Sequence, residues 1–290
     1  MRILILSLLL FSGMTSFSFS DKDQMVRVRV LSGQKQVIKR IDFQTYLAGV
    51  VENEMPMNWP IEALKAQVVV ARSYALTKIK ENKNKDYDLD STIMDQVYKK
   101  PKSALSLMVV QDTQQVVLKT TTGDILKAFY HADCGGQTVS ASDVWGSGYD
   151  SGTTTDSWCA ARDSNRWSYS IKKENMLNRL ATSSSKKLDL WAEFFNDRIK
   201  AIKVNEQMFS VQKLRQIFGF SKIRNSPTSI LNNVEEIVFQ GQGYGHGVGL
   251  CQWGSMEQAK QGKDYFQILS HYYPKAQVET AERTRVASRH

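Results

Sequence analysis

Two prolines, Pro56 and Pro60, cut the most regular apolar pattern in the chain into two helices and dictate where the first must end. Before the break, Asp42 can cap a helix, and Phe43, Tyr46, Leu47, Val50 and Val51 fall on one face at i, i+3, i+4, i+7 and i+8. Pro56 has no N–H to continue that helix, so Glu54 is expected at its C-terminal end rather than on a regular solvated face. Pro60 suits a first helical position, and the second helix should run to about Lys80, because residues 82–90 are too polar to extend an apolar face. Its stripe is Ile61, Leu64, Val68, Ala75 and Ile79. At about 100° per residue, Lys65 and Arg72 project within roughly 40° of Ile61, on or beside that stripe. A carboxylate at one helix end, with two cations on the packed face of the next, points to a polar cleft. Cation stems packed along the stripe with their heads reaching water would give the same spacing. Glu52 is a competing carboxylate.

The rest of the chain reads as mixed strands and helices. Val26, Val28 and Val30 alternate with Arg27 and Arg29, and Ser32-Gly33 precedes Val37-Ile38, which predicts a hairpin. Residues 115–119 and 125–130 read as strands joined at Thr122-Gly123, followed by a polar Gly-, Ser- and Thr-rich loop over 133–155. Short helices are expected over 175–180 and 209–218, with a subdomain boundary at the serine-lysine stretch 183–187 between them. A strand over 237–239 runs into the glycine-rich loop 241–249, a helix covers 252–260, and a last apolar segment spans 265–273. Strands and helices do not alternate regularly and no repeat is present, which favours α+β over a doubly wound sheet.

At the N-terminus, Met1-Arg2, the apolar run 3–11 and Ser18-Phe19-Ser20 have the form of a signal peptide, with cleavage expected after Ser20 and an uncleaved anchor as the alternative. The expectation is an exported chain, in the periplasm or cell wall, without a stable membrane anchor; 21–274 forms the folded region and 275–290 a loose tail. Lys and Arg outnumber Asp and Glu by 38 to 29. For an exported chain, that balance favours anionic wall polymers and membrane surfaces over nucleic acid.

Two further groups of residues carry chemistry. Five glycines within 241–249 let backbone approach a ligand, with Tyr244, His246 and Gln252 around them; a tight strand-to-helix turn is the plainer reading, and neither a Walker lysine nor dinucleotide spacing is present. Three cysteines, Cys134, Cys159 and Cys251, are too few for a disulfide scaffold. His131, Cys134 and Cys159 could ligate zinc, or Cys134 and Cys159 could form a disulfide, the preferred reading in an oxidising compartment; Cys251 reads as buried and inert.

The run from Tyr46 to Pro56 ending Glu-Asn-Glu-Met-Pro, then Glu62-Ala-Leu-Lys-Ala-Gln67 with Ala71-Arg-Ser-Tyr-Ala75, His131-Ala-Asp-Cys-Gly-Gly-Gln-Thr138 with Val144-Trp145, and Gly243-Tyr-Gly-His-Gly-Val-Gly249 with Gln252-Trp-Gly254, resembles the SpoIID/LytB family in order and spacing. The resemblance implies a SpoIID-like fold with a cleft between a core and a smaller subdomain. It implies a lytic transglycosylase that cleaves peptidoglycan glycan strands, stripped of peptide, between N-acetylmuramic acid and N-acetylglucosamine. By the same resemblance Glu54, not Glu52, is the general acid and base, and Lys65, Arg72, His131, Tyr244, His246 and Gln252 contact substrate. No cofactor is required, and zinc is carried by some relatives near the His131 motif. Stimulation of a wall amidase is the other role the family implies. This chain departs from the family's pattern at Ala132-Asp133-Cys134 and at Cys251, where small hydroxylated residues are usual.

Overall fold

The computed structural model describes residues 24–33, 35–146, 152–160, 165–182 and 188–280. The expected signal peptide and the serine-lysine boundary lie outside them.

The chain opens with β1 (Met25–Ser32) and β2 (Lys35–Asp42), paired antiparallel from Met25 opposite Asp42 to Ser32 opposite Lys35. Gly33 takes the turn at φ 63°. Then come α1 (Phe43–Glu54), α2 (Ile61–Glu81), β3 (Leu89–Asp90), α3 (Ala104–Asp112), β4 (Val116–Lys119), β5 (Tyr130–His131), α4 (Ala141–Trp145) and α5 (Ser157–Ala160). A second stretch holds β6 (Arg166–Lys172), α6 (Lys173–Leu180), β7 (Leu190–Phe195), β8 (Arg198–Val204), β9 (Gln207–Ser210), α7 (Val211–Phe218), β10 (Ser229–Asn232) and β11 (Glu236–Gln242). The last elements are β12 (Leu250–Cys251), α8 (Gln252–Lys260), α9 (Tyr265–Tyr272) and β13 (Gln277–Thr280). The mixture is α+β, and the described residues form five small sheets ordered β2-β1-β3, β10-β11-β6, β12-β5, β13-β4 and β7-β8-β9.

α1 forms as its sequence requires. The Asp42 carboxylate accepts the Thr45 N–H at 2.8 Å, and Phe43, Tyr46, Leu47, Val50 and Val51 are wholly buried. Each such side chain stabilises the fold by about 1.5–3 kcal/mol. α2 differs from the single-stripe expectation. Ile61 is exposed, whereas from Ala63 to Leu76 every residue but Lys65 is buried. Leu64, Val68, Ala71, Tyr74 and Ala75 pack with α1 and β1, while Ala66, Val69 and Val70 pack on the other side with Leu118, Leu250, Ile268 and Leu269. A helix apolar all round is a central helix, and α2 is the spine of this core. A separate apolar cluster joins β6, α6, β8, α7 and β11 through Trp167, Met176, Ile202, Leu214, Ile237 and Phe239.

Two strand expectations are corrected. Residues 125–130 form only a short hairpin arm with β4: Ile125 bridges back to Lys119 and the Leu126 N–H bonds to the Leu118 carbonyl, whereas Tyr130–His131 turns away to run parallel to Leu250–Cys251. β4 instead pairs with β13, Val116 opposite Thr280 and Lys119 opposite Gln277, so residues 277–280 of the expected loose tail are a strand, and 281–290 lie outside the described residues. Among the described residues, no helix is long and apolar enough to cross a membrane.

Candidate functional site

The end of α1 places Glu54. Met55 leaves the helix in extended conformation, its N–H still bonded to the Val51 carbonyl, and the Glu54 carboxylate accepts the Val97 N–H at 2.8 Å. That N–H is aimed by its neighbour: buried Gln96 accepts the Tyr46 hydroxyl at 3.0 Å and donates to the Ala71 carbonyl at 3.3 Å, tying the loop to both helices. The Tyr130 hydroxyl stands beside the carboxyl, out of solvent, yet closes no hydrogen bond of ordinary geometry. Burial raises the Glu54 pKa above the usual carboxylate range, against the opposing pull of the Val97 N–H and the Tyr130 hydroxyl. No ion pair to Glu54 is found among the described residues.

Glu52 has a different task. Its carboxylate accepts the N–H groups of Lys102 at 2.9 Å and Ser103 at 3.0 Å and the Ser106 hydroxyl at 3.2 Å, at the entry to α3. Partial burial raises its pKa, but these donors outweigh that and hold it below the ordinary value. A carboxylate so engaged is an anchor for a helix start.

The two cations expected around the cleft are held by partners within the fold. Arg72 is fully buried and donates to the Val110 and Val116 carbonyls at 3.3 and 3.2 Å and to the Thr113 hydroxyl at 3.4 Å, fastening α3 to β4. Lys65 pairs with Glu62 at 3.2 Å and Asp112 at 3.3 Å. Arg72 thus serves the packing of α2, α3 and β4, because the stripe it was measured against is not the only packed face of α2. Gln252 is also drawn inward, its amide donating to Gln67 at 3.4 Å between α8 and α2.

β5 connects Glu54 to the glycine-rich loop, since neighbouring strand residues point to opposite faces. Tyr130 stands by Glu54, and His131 is buried against the loop, its Nδ1 3.1 Å from the Val248 carbonyl. A carbonyl only accepts, so Nδ1 carries the proton; Nε2 is left buried without a partner. His246 accepts the Val248 N–H on its own Nδ1 at 3.0 Å, and the two imidazoles are 5.6 Å apart. Burial depresses both, His131 to about 4 and His246 well below its ordinary value, so both rings are neutral at neutral pH. Trp145 packs on His246 at 5.1 Å and on Phe129 at 4.6 Å, and Trp145 and Tyr244 are both substantially exposed. The loop's glycines are needed here: Gly245, at φ 111°, has no room for a side chain against His131, and Gly249, at φ 71°, lies against the Phe129 carbonyl. His246 and Gly245 also line a hollow with Val144, Asp143, Lys200 and Arg215.

Behind β5 the three cysteines meet. The sulfurs of Cys134, Cys159 and Cys251 and a carboxylate oxygen of Asp156 all lie within 4.8 Å of one another, all four residues are buried, and the cysteines are free thiols. Cys134 and Cys159 thus come together as expected, but unbridged. The group that converges differs from the expected metal set: Asp156 and Cys251 stand with Cys134 and Cys159, and His131 does not. The Asp156-x-x-Cys159 spacing was the sequence signal for half of the set. These four donors could hold a metal ion.

Comparison with known proteins first gives a class. Residues 32–127, which include Glu54, match the family of the stage II sporulation protein SpoIID. Individual relatives follow. Over 245 residues the chain is 31% identical to an uncharacterized protein of Brachyspira hyodysenteriae, covering 82% of this chain and 66% of that one. It is 26% identical over 287 residues to the amidase enhancer of Bacillus subtilis, covering 79% of this chain but 39% of the relative. Stage II sporulation protein D of the same organism is 25% identical over 287 residues, covering 90% and 81%. The chain is thus homologous to SpoIID-type domains, and it spans less than two thirds of the amidase enhancer's length.

Proposed function

We propose that this protein is a peptidoglycan lytic transglycosylase acting outside the cytoplasm, with Glu54 as its general acid and base. The observation that carries the reading is the Glu54 carboxyl group at the end of α1, whose pKa is raised by burial and which pairs with no cation among the described residues. A glycosidase that uses water normally needs two carboxyl groups. Attack by the 6-hydroxyl of the same muramyl sugar needs one, because proximity replaces the captured water.

Protonated Glu54 gives its proton to the glycosidic oxygen as the bond from muramyl C1 breaks. The resulting carboxylate then takes the 6-hydroxyl proton as O6 bonds to C1, leaving a 1,6-anhydro end and Glu54 protonated again. The Val97 N–H stabilises the carboxylate between the two transfers. Exposed Trp145 and Tyr244, with the neutral His246, form a surface suited to stacking sugar rings. Lys65 and Arg72 take no part in this reading.

The similarity to an amidase enhancer favours a second reading, in which the chain binds glycan and stimulates an amidase without cutting. Incubation of the purified chain with peptide-free glycan strands separates them. Anhydro-muramic ends found by mass spectrometry support the transglycosylase. Intact strands, together with faster release of stem peptides from whole peptidoglycan when the chain is added to an amidase, would establish the enhancer instead.

A further inference from the structure

We propose that Cys134, Asp156, Cys159 and Cys251 bind one zinc ion that clamps the loops behind β5, and that His131 is not a ligand. This rests on the cluster's own geometry and is independent of the reaction proposed above.

Four features point to a metal. First, the donors converge: in a tetrahedron with Zn–S bonds of about 2.3 Å, sulfurs stand about 3.8 Å apart, so ligand atoms within 4.8 Å of one another need only a small contraction. Second, three sulfurs and one carboxylate select zinc over calcium or magnesium, which take oxygen donors. Third, the surroundings suit thiolates: the N–H groups of Cys134 and Gly254 point at the Cys251 sulfur, at 3.2 and 3.4 Å, where Cys251 caps the start of α8. Fourth, the carboxylate is oriented from behind, with Asp156 Oδ2 accepting the Tyr272 hydroxyl at 2.7 Å and Oδ1 the Cys159 N–H at 3.0 Å.

Charge is also provided for. The buried Arg198 guanidinium donates to the Cys134 and Gly135 carbonyls at 2.6 and 3.0 Å, close to the thiolates. A disulfide would join two of the three sulfurs and leave the third, with its N–H donors or its carboxylate, unexplained. Zinc binding releases the thiol protons to solvent and changes no oxidation state.

The ion would join three segments far apart in sequence: the turn after β5, the loop carrying α5, and the β12–α8 junction at the end of the glycine-rich loop. It would thereby fix the backbone that presents His131 and His246 without touching substrate.

The test is metal analysis of the purified, unmodified chain, with thiol titration by an organomercurial in the presence of a zinc-sensitive dye. The expected result is about one zinc per chain, released as three thiol equivalents are consumed. Cobalt exchanged into the site should give thiolate charge-transfer absorption and the intense visible bands of a tetrahedral centre. Cys251→Ser should lower the retained zinc severalfold, and His131→Ala should keep it in full. If Cys251→Ser does not fold, the titration of the unmodified chain still decides. Three free thiols without metal, a mass showing two cysteines oxidised to a disulfide, or zinc lost in His131→Ala would overturn the proposal.

Discussion

The surroundings of Glu54 and the sulfur cluster lie on either side of the same short strand, yet they treat polar groups in opposite ways. Around Glu54, capacity is left open: the carboxyl has one backbone donor, and the Tyr130 hydroxyl is out of solvent without a hydrogen bond of ordinary geometry. In the cluster, each of Cys134, Asp156, Cys159 and Cys251 has at least one hydrogen-bond partner, and Asp156 uses both oxygens. A buried polar group without a partner costs about 1–3 kcal/mol. Such groups persist where something else will bond them, whereas a satisfied cluster fixes geometry. The contrast assigns chemistry to one side of β5 and support to the other.

The strongest way to break that assignment is Glu54→Gln. It should lower glycan cleavage by about 10²–10⁴-fold while wall binding and the thermal midpoint hold, because it removes the proton and keeps the shape. Cleavage at the parent rate, read by anhydro-end mass spectrometry, would move the chemistry elsewhere. Arg72→Ala comes next and should destabilise by about 2–4 kcal/mol in denaturant unfolding, with activity per folded molecule unchanged, since it removes the guanidinium's bonds to the Val110 and Val116 carbonyls and opens a cavity. A loss of turnover at full stability would return Arg72 to the site.

Glu52→Ala should cost about 1 kcal/mol through the lost anchor of α3 and leave cleavage intact. The smallest effect sharpens the contrast. Although it closes no hydrogen bond of ordinary geometry, the nearby Tyr130 hydroxyl favours the Glu54 carboxylate, so Tyr130→Phe should raise the Glu54 pKa further. Since the protonated acid acts first, the fall in kcat as pH rises should then move to higher pH. A pH-rate profile shifted the other way would mean that Tyr130 does not act on Glu54.

The parts legible in the sequence are those whose cause is local. Asp42, the stripe beginning at Phe43, and Pro56 locate α1 and bring Glu54 to its end, and α8 follows from residues 252–260. Choosing between Glu52 and Glu54 by geometry needed the Lys102–Ser103 and Val97 backbones, about 43 to 51 residues away. Arg72 was misread because a periodicity argument assumes one packed face, and α2 has several. The meeting of Cys134 with Cys251 spans 117 residues, and no local pattern encodes it. The β7-β8-β9 sheet was missed because Leu190–Phe195 carries apolar residues on both faces, without the alternation that marks a half-buried strand.

The pairing of β4 with β13 bears on how the molecule comes to be folded. Lys119 and Glu279 form an ion pair across 160 residues of chain, and α9 seals the underside of α2 just before that strand. The helix that organises the molecule therefore has one flank bare until the final described strand has been synthesised. Contacts of such span make folding slow and leave an open edge on β4 in the meantime. A chain interrupted before residue 277 would present that edge to other chains, and self-association during refolding should depend steeply on protein concentration.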